Sequence, residues 1–293
     1  RKALKETIVG SSIQDNINIE FLQSLEFRIP SKPDQDKINK LLYSIDRKIE
    51  NLNMINEELE TVAKTIYNYW FIQFKIPNIR NKIENLKWNE KLKRRIPENW
   101  KVQNLRKNDI SEIINSGIKK FNNKKNYLTT SDIKDSKINH FPKKIDFYNR
   151  ESRANMQPII NSIWFAKMKE SKKILLIDNY SNEFLESFIL STGFAGLKCK
   201  ERALTYVWNF INDENFELNK DNKCLGATQE AINNDGISYL NILIPPDYIL
   251  DMFSSKTKPI YKKIYKNQLL IHEYVKLRDS LLSLFMIGQI KLN

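Results

Sequence analysis

Between Ile38 and Trp70 the chain keeps one apolar spacing. Ile38, Leu42, Ile45, Ile49, Leu52, Leu59, Ala63, Ile66 and Trp70 fall at alternating steps of four and three, and Asn56 fills the one place left. This is a heptad seam, and it predicts a long helix over about 34–74, with no Gly or Pro inside it. At 1.5 Å per residue, about 40 residues make a rod of roughly 60 Å, longer than a small domain is wide. Such a helix must pack on another long helix or bridge separate bodies. Pro30 and Pro33 punctuate its start, with Ser31 and Asp34 as N-cap candidates.

A second stretch, from about Asp247 to Gly288, has the same character. Its seam is Ile260, Ile264, Ile271, Tyr274, Leu281 and Phe285, with Asn267 at a seam place. Arg278 falls on the spacing too, beside an apolar candidate in Leu277. A short first part is expected to end near Ser254 and Ser255. Pro259 then suits the first turn of the next helix, and Gly288 suits a C-cap. Between the two stretches, about 100–246 reads as one mixed unit. Ser162–Met168, Ile174–Ile177 and Leu240–Ile244 are strand-like; Asn182–Leu190 and Leu204–Asn212 are helical candidates. If that unit is compact, the flanking helices can run antiparallel as a coiled coil. The seam asparagines would then fix register. The expected fold is an α/β (α+β) domain flanked by two long helices.

The end of the chain also repeats its beginning. Gly10-Ser11-Ser12-Ile13-Gln14, Ile17-Asn18, Leu25 and Ile29-Pro30 return as Gly226-Ala227-Thr228-Gln229, Ile232-Asn233, Leu240 and Ile244-Pro245. The offset holds at about 215 residues through Lys48-Ile49 and Lys263-Ile264. Solenoid repeats run about 20–50 residues, so this is a duplicated module and not a solenoid. A duplication suits a protein that reads two targets of one type or places two partners symmetrically.

The formal charge of +13 favours a polyanionic partner. Cys199 and Cys224 lack metal-type spacing and read as reduced thiols. No apolar run approaches the roughly 20 residues of a membrane span, and no secretory pattern opens the chain, so a cytoplasmic protein is expected.

These segments resemble the specificity subunit of Type I restriction-modification systems. The resemblance is carried by Ile29-Pro30, Pro33-Asp34-Gln35 and the helix ending Ala63-Lys64-Thr65-Ile66-Tyr67-Asn68-Tyr69-Trp70-Phe71. Ile96-Pro97-Glu98-Asn99-Trp100, Ser191-Thr192-Gly193-Phe194 with Leu197, Gly226-Ala227-Thr228-Gln229 and Ile244-Pro245-Pro246 add to it. So does Leu277-Arg278-Asp279-Ser280-Leu281-Leu282 through Gly288. The resemblance implies two target-recognition domains, held apart by an antiparallel helix pair, each reading half of a bipartite duplex. It implies docking of two methyltransferase subunits, which carry the S-adenosylmethionine, and a separate restriction and translocase subunit. No cofactor is expected on this chain.

The layout that follows is a remnant of a first recognition domain at 1–30 and a spacer helix at 31–76. A basic connector at 77–99 leads to a recognition domain at 100–246 and a C-terminal spacer helix at 247–293. Either the first domain lies outside this sequence, or the chain is a half-subunit that regains two-fold symmetry by self-association.

Catalysis finds little support in the residues. His140 and His272 lie far apart, without carboxylates or cysteines at ligand spacing, and no phosphate-binding loop appears. Pro245-Pro246-Asp247-Tyr248 only faintly matches an amino-methyltransferase motif. Gly193 and Gly196 read as turn glycines. DNA reading needs phosphate neutralisers and base-edge donors. The segment Gly117–Tyr127, with Lys119, Lys120, Lys124, Lys125 and Asn126, reads as a basic loop that could meet a duplex. Arg150 and Arg153 are the best base-reading candidates, since arginine can bind guanine bidentately. Thr228 and Gln229, in the repeated glycine motif, could bond base or phosphate. Lys91, Lys93, Arg94 and Arg95 stand near the domain entry. The rival reading is a coiled-coil scaffold whose basic domain has no sequence-specific readout.

Overall fold

The computed structural model describes residues 29–77, 85–134, 136–138, 142–226 and 230–287, together with Ile19 and Gln23. Two compact units are present: 1–54 with 267–293, and 55–266. The expected remnant at 1–30 falls almost wholly outside the described residues, as does the first copy of the repeat.

Helix α1 spans Lys32–Tyr67. Ser31 caps it: its hydroxyl accepts the Asp34 N–H at 3.4 Å and donates to the Asp34 carboxylate at 2.6 Å. The heptad places behave as their spacing predicts, with Ile45, Asn56 and Ala63 buried and Leu42, Ile49, Leu52 and Leu59 half-buried. The α-helix ends in a π-helical turn, Asn68–Ile72. This widening lets the adjacent Trp70 and Phe71 both enter the core, at 2% and 1% exposure.

The last helix, α6, spans Asp247–Ile287 without a break. This corrects the expected interruption near Ser254 and Ser255. Pro259 sits inside the helix on an exposed face, so the carbonyl it cannot serve, that of exposed Ser255, faces water. Phe253, Thr257, Tyr261 and Ile264 are buried on the other side and hold the helix through the proline. In the smaller unit, Arg278 and not Leu277 carries the seam: its guanidinium bonds Asp46 at 3.2 Å, while Leu277 stays exposed. Lys48 lies over Tyr274 at 5.9 Å, and with Asp46 meeting Arg278 the chains there run antiparallel. In the larger unit Tyr67, Trp70 and Phe71 all meet Phe253.

The rest of the larger unit is built on short strands. A hairpin, β1 (Leu86–Asn89) and β2 (Arg94–Pro97), lies within the basic connector. The remaining strands are β3 (Lys101–Asn104), β4 (Ser111–Ile114), β5 (Lys125–Leu128), β6 (Ile133–Lys134), β7 (Lys137–Ile138) and β8 (Lys143–Ile145), followed by β9 (Ala154–Met156), β10 (Ser162–Ala166), β11 (Ile174–Ile177), β12 (Phe188–Ser191), β13 (Phe194–Cys199) and β14 (Asn241–Ile244). Helix α2 (Asn182–Ser187) ends early, because Phe188–Ser191 is drawn into a sheet; α3 is Leu204–Ile211, α4 Glu214–Asp221 and α5 Asn234–Ser238. One antiparallel sheet has the order β11-β10-β13-β4. A second, β8-β5-β12-β9, is mixed, with β5 and β12 parallel. Strand β14 pairs with β3 and returns the chain to α6.

The main core gathers Tyr67, Trp70, Phe71, Trp100, Tyr206 and Phe253. The Phe71 and Tyr206 rings meet edge-on at 4.5 Å, and the Tyr206 hydroxyl donates to the Leu243 carbonyl at 2.6 Å. Burial pushes the Tyr67 and Tyr206 phenols well above their ordinary pKa, so both stay neutral. Cys199 and Cys224 are free thiols.

Candidate nucleic-acid interface

Gly117 opens the expected basic loop with φ +141, a conformation that L side chains rarely adopt. Its N–H donates to the Asn155 carbonyl at 2.8 Å, tying the loop to β9. Lys119, Lys120 and Lys124 are exposed in this loop. Lys125 and Asn126 are not loop residues: they begin β5, which pairs with β8 so that Asn126 faces Lys144 across the ladder. Alternation in Lys125–Leu128 is too short to register in sequence against the run of amides and lysines before it.

The loop meets the segment between β8 and β9. Phe121 and Phe147 pack edge-on at 5.6 Å, and Phe147 and Tyr148 at 5.5 Å. Cations cover these rings: Lys120 lies 5.1 Å from Tyr148, Lys125 5.4 Å from Phe121, and Arg150 4.4 Å from Phe147. Arg150 also donates to the Phe147 carbonyl. Asp146 shapes the turn by accepting the Asn149 N–H at 2.8 Å and the Tyr148 N–H at 3.0 Å. The Asn149 N–H, with Lys124 nearby, holds its carboxyl below the ordinary value. Tyr148, between Phe147 and Lys120, is 73% exposed.

Thus the Gly117 loop and the Arg150–Arg153 segment come together, and Lys143, Lys144, Phe147 and Tyr148 join them without having been singled out by sequence. Arg150 is held against its own turn, whereas Arg153 is exposed at the entry to β9. The surface offers cations for phosphates, amides for hydrogen bonds and one open aromatic face for contact with sugar or base.

Thr228 and Gln229 lie outside the described residues, as does His140. The glycine before them is described: Gly226 has φ +139, so the repeated glycine serves a backbone shape. Beyond it, Asn233 caps α5 by accepting the Gly236 N–H at 2.7 Å, and Ile232 and Leu240 are buried, giving the repeated positions structural duties.

The hairpin cluster divides. Arg94 donates to the Phe71 carbonyl at 3.3 Å and covers Phe74 at 5.5 Å, so it fastens the end of α1. Lys91, Lys93 and Arg95 are exposed. Gly193 stands in a turn, but Gly196 belongs to β13, where the Trp164 ring lies over it. Among the described residues no group of three His, Cys, Asp or Glu could hold a metal ion. No helix among them is long and apolar enough to cross a membrane.

No family model matches the chain. The Type I restriction enzyme MjaIX specificity subunit of Methanocaldococcus jannaschii is 27% identical over 293 residues, covering 97% of this chain and 65% of that one. The chain is a homologue of Type I restriction enzyme specificity subunits. The HindI specificity subunit of Haemophilus influenzae is 34% identical over 73 residues, 25% of this chain and 16% of that one. The crystal structure of a Type I restriction-modification S subunit from M. genitalium has the same fold. Its TM-score is 0.51 at 14% identity, over 94% of this chain and 67% of that one. The fold of this specificity-subunit homologue therefore agrees with the expected one, a mixed helix-and-sheet domain with a long helix before it and another after it. The chain spans 65% of the length of the MjaIX subunit.

Proposed function

We propose that this chain is a DNA-recognition subunit of a Type I restriction-modification assembly. The domain at about 100–246 reads one half of a bipartite duplex. Helices α1 and α6 bind methyltransferase subunits and set the distance between half-sites. The chain itself performs no chemistry: the methyltransferase brings S-adenosylmethionine, and a restriction and translocase subunit brings ATP.

One observation carries the reading. Two sequence-distant basic segments, Gly117–Asn126 and Lys143–Arg153, fold into one surface on which cations lie over aromatic rings. Cation–π contacts of about 0.5–1 kcal/mol each preorganise side chains that would otherwise lose entropy on binding. The homology supports the same partner.

Genome-wide methylation mapping, in the host with and without the intact gene, tests this. The expected result is loss of one bipartite methylated motif. An asymmetric motif would indicate two different recognition domains, and a palindromic one a self-paired subunit. Unchanged methylation, with no methyltransferase co-purifying, would reject the reading and leave the scaffold.

A further inference from the structure

Two cationic side chains from different segments, those of Arg153 and Lys167, meet beside Gly193, in the turn between β12 and β13, and Lys173 is held near them through Thr130. Arg153 lies across the glycine, with Nη2 3.3 Å from where a Cβ would stand. The Thr130 methyl is equally close, and the Thr130 carbonyl accepts Lys173 Nζ at 2.7 Å. Lys167 follows β10, and its N–H donates to the Gly193 carbonyl at 2.9 Å. Burial, and then the charge of Arg153, hold the Lys167 ammonium below its ordinary pKa. The backbone beneath is fixed, since the Arg153 carbonyl accepts the N–H groups of Asn155 at 2.9 Å and Thr192 at 2.8 Å.

Neighbouring lysines are neutralised: Lys143 by Glu151 at 3.2 Å and Lys169 by Glu230. Among the described residues Arg153, Lys167 and Lys173 have no carboxylate partner. Gathering like charges without a counter-ion is unfavourable unless an anion shares them.

We propose that this notch binds one backbone phosphate of the DNA duplex and so fixes the register in which the neighbouring surface meets the bases. The inference rests on the DNA-reading function proposed above. A phosphate fits better than a base edge. Guanine offers two acceptors to one arginine fork, whereas separate cations beside one turn match the oxygens of a phosphodiester. Gly193 lets the Arg153 guanidinium lie against the buried turn; any side chain there would press on Arg153.

The test measures binding of the full chain to duplexes it enriches from a random pool, and to unrelated duplexes, over a salt series. Arg153→Ala and Lys167→Met should each weaken both kinds of duplex by the same factor. Each should also lower the slope of log K against log salt by about one. A single methylphosphonate at the contacted position should weaken the wild type and leave Arg153→Ala unaffected. A loss confined to the enriched duplexes would make Arg153 a base reader and overturn the notch. So would unchanged affinity and slope in both variants while Lys120→Ala or Lys124→Ala weakens binding. Failure of the wild-type chain to bind any duplex would overturn the DNA-reading function itself.

Discussion

Lys220 has no exposed side-chain surface. Its ammonium donates to the Met168 carbonyl at 2.9 Å, the Ala166 carbonyl at 3.4 Å and the Glu217 carboxylate, with Asp221 at 3.5 Å. It therefore pins α4 to the chain leaving β10, next to Lys167. Lys220→Met would leave two carboxylates and two carbonyls without their cation. The expected loss is about 3 kcal/mol of unfolding free energy, read from the urea midpoint. Gly196 meets the opposite constraint. A Cβ there would stand 2.6 Å from the Trp164 ring, which Ser162 fixes through a 2.9 Å bond to the indole N–H. Gly196→Ala should therefore cost about 1–3 kcal/mol by overpacking; an unchanged midpoint would show that the ring can move aside. Neither role was legible in sequence, where Lys220 is one lysine among many and Gly196 reads as a turn. Arg150 and Arg153 were legible as candidates, but their difference was not. Only the fold turns one back onto Phe147 and leaves the other beside Gly193.

At the scale of elements, sequence reports what repeats locally. The seam of α1 is visible because each heptad place restates the period, and the places from Ile38 to Trp70 are buried or half-buried. The break expected in α6 failed because proline is a local signal and burial is not. Phe253, Thr257 and Tyr261 hold one face of the helix while Pro259 sits on the other. Pro259→Ala should restore the missing bond to the Ser255 carbonyl. After allowing for a less restricted unfolded chain, it should raise stability by about 1–2 kcal/mol in the same urea titration. A loss instead would mean that the proline is favourable where it stands. The sheets were the least legible elements. Strand β12 lies parallel to β5 about 60 residues earlier in the chain, and β13 pairs with β4 at still longer range. No period in the sequence encodes such partners. Hence Phe188, Ile189 and Leu190 read as the end of a helix, and Lys125–Asn126 as part of a loop.

At the scale of the whole molecule, α1 and α6 each run through both compact units, so helix length is a variable separate from the recognition surface. That separation makes the proposed spacing role testable without touching a single DNA-facing side chain. Lys48 and Tyr274 face each other in the smaller unit, so seven residues inserted after each would lengthen both helices at one level. Seven residues keep the seam in phase. They add about 10 Å of rise, the length of about three base pairs. Methylation mapping of the variant should show the same half-site with an unspecified spacer longer by about three base pairs. Five-residue insertions would turn the following seam by about 140° and should abolish assembly, because the apolar stripe would then face water. An unchanged spacer with the seven-residue insertions would mean that the helices dock partners without measuring distance. A changed half-site would mean that recognition depends on how the helices hold the domain, and not on the basic surface alone.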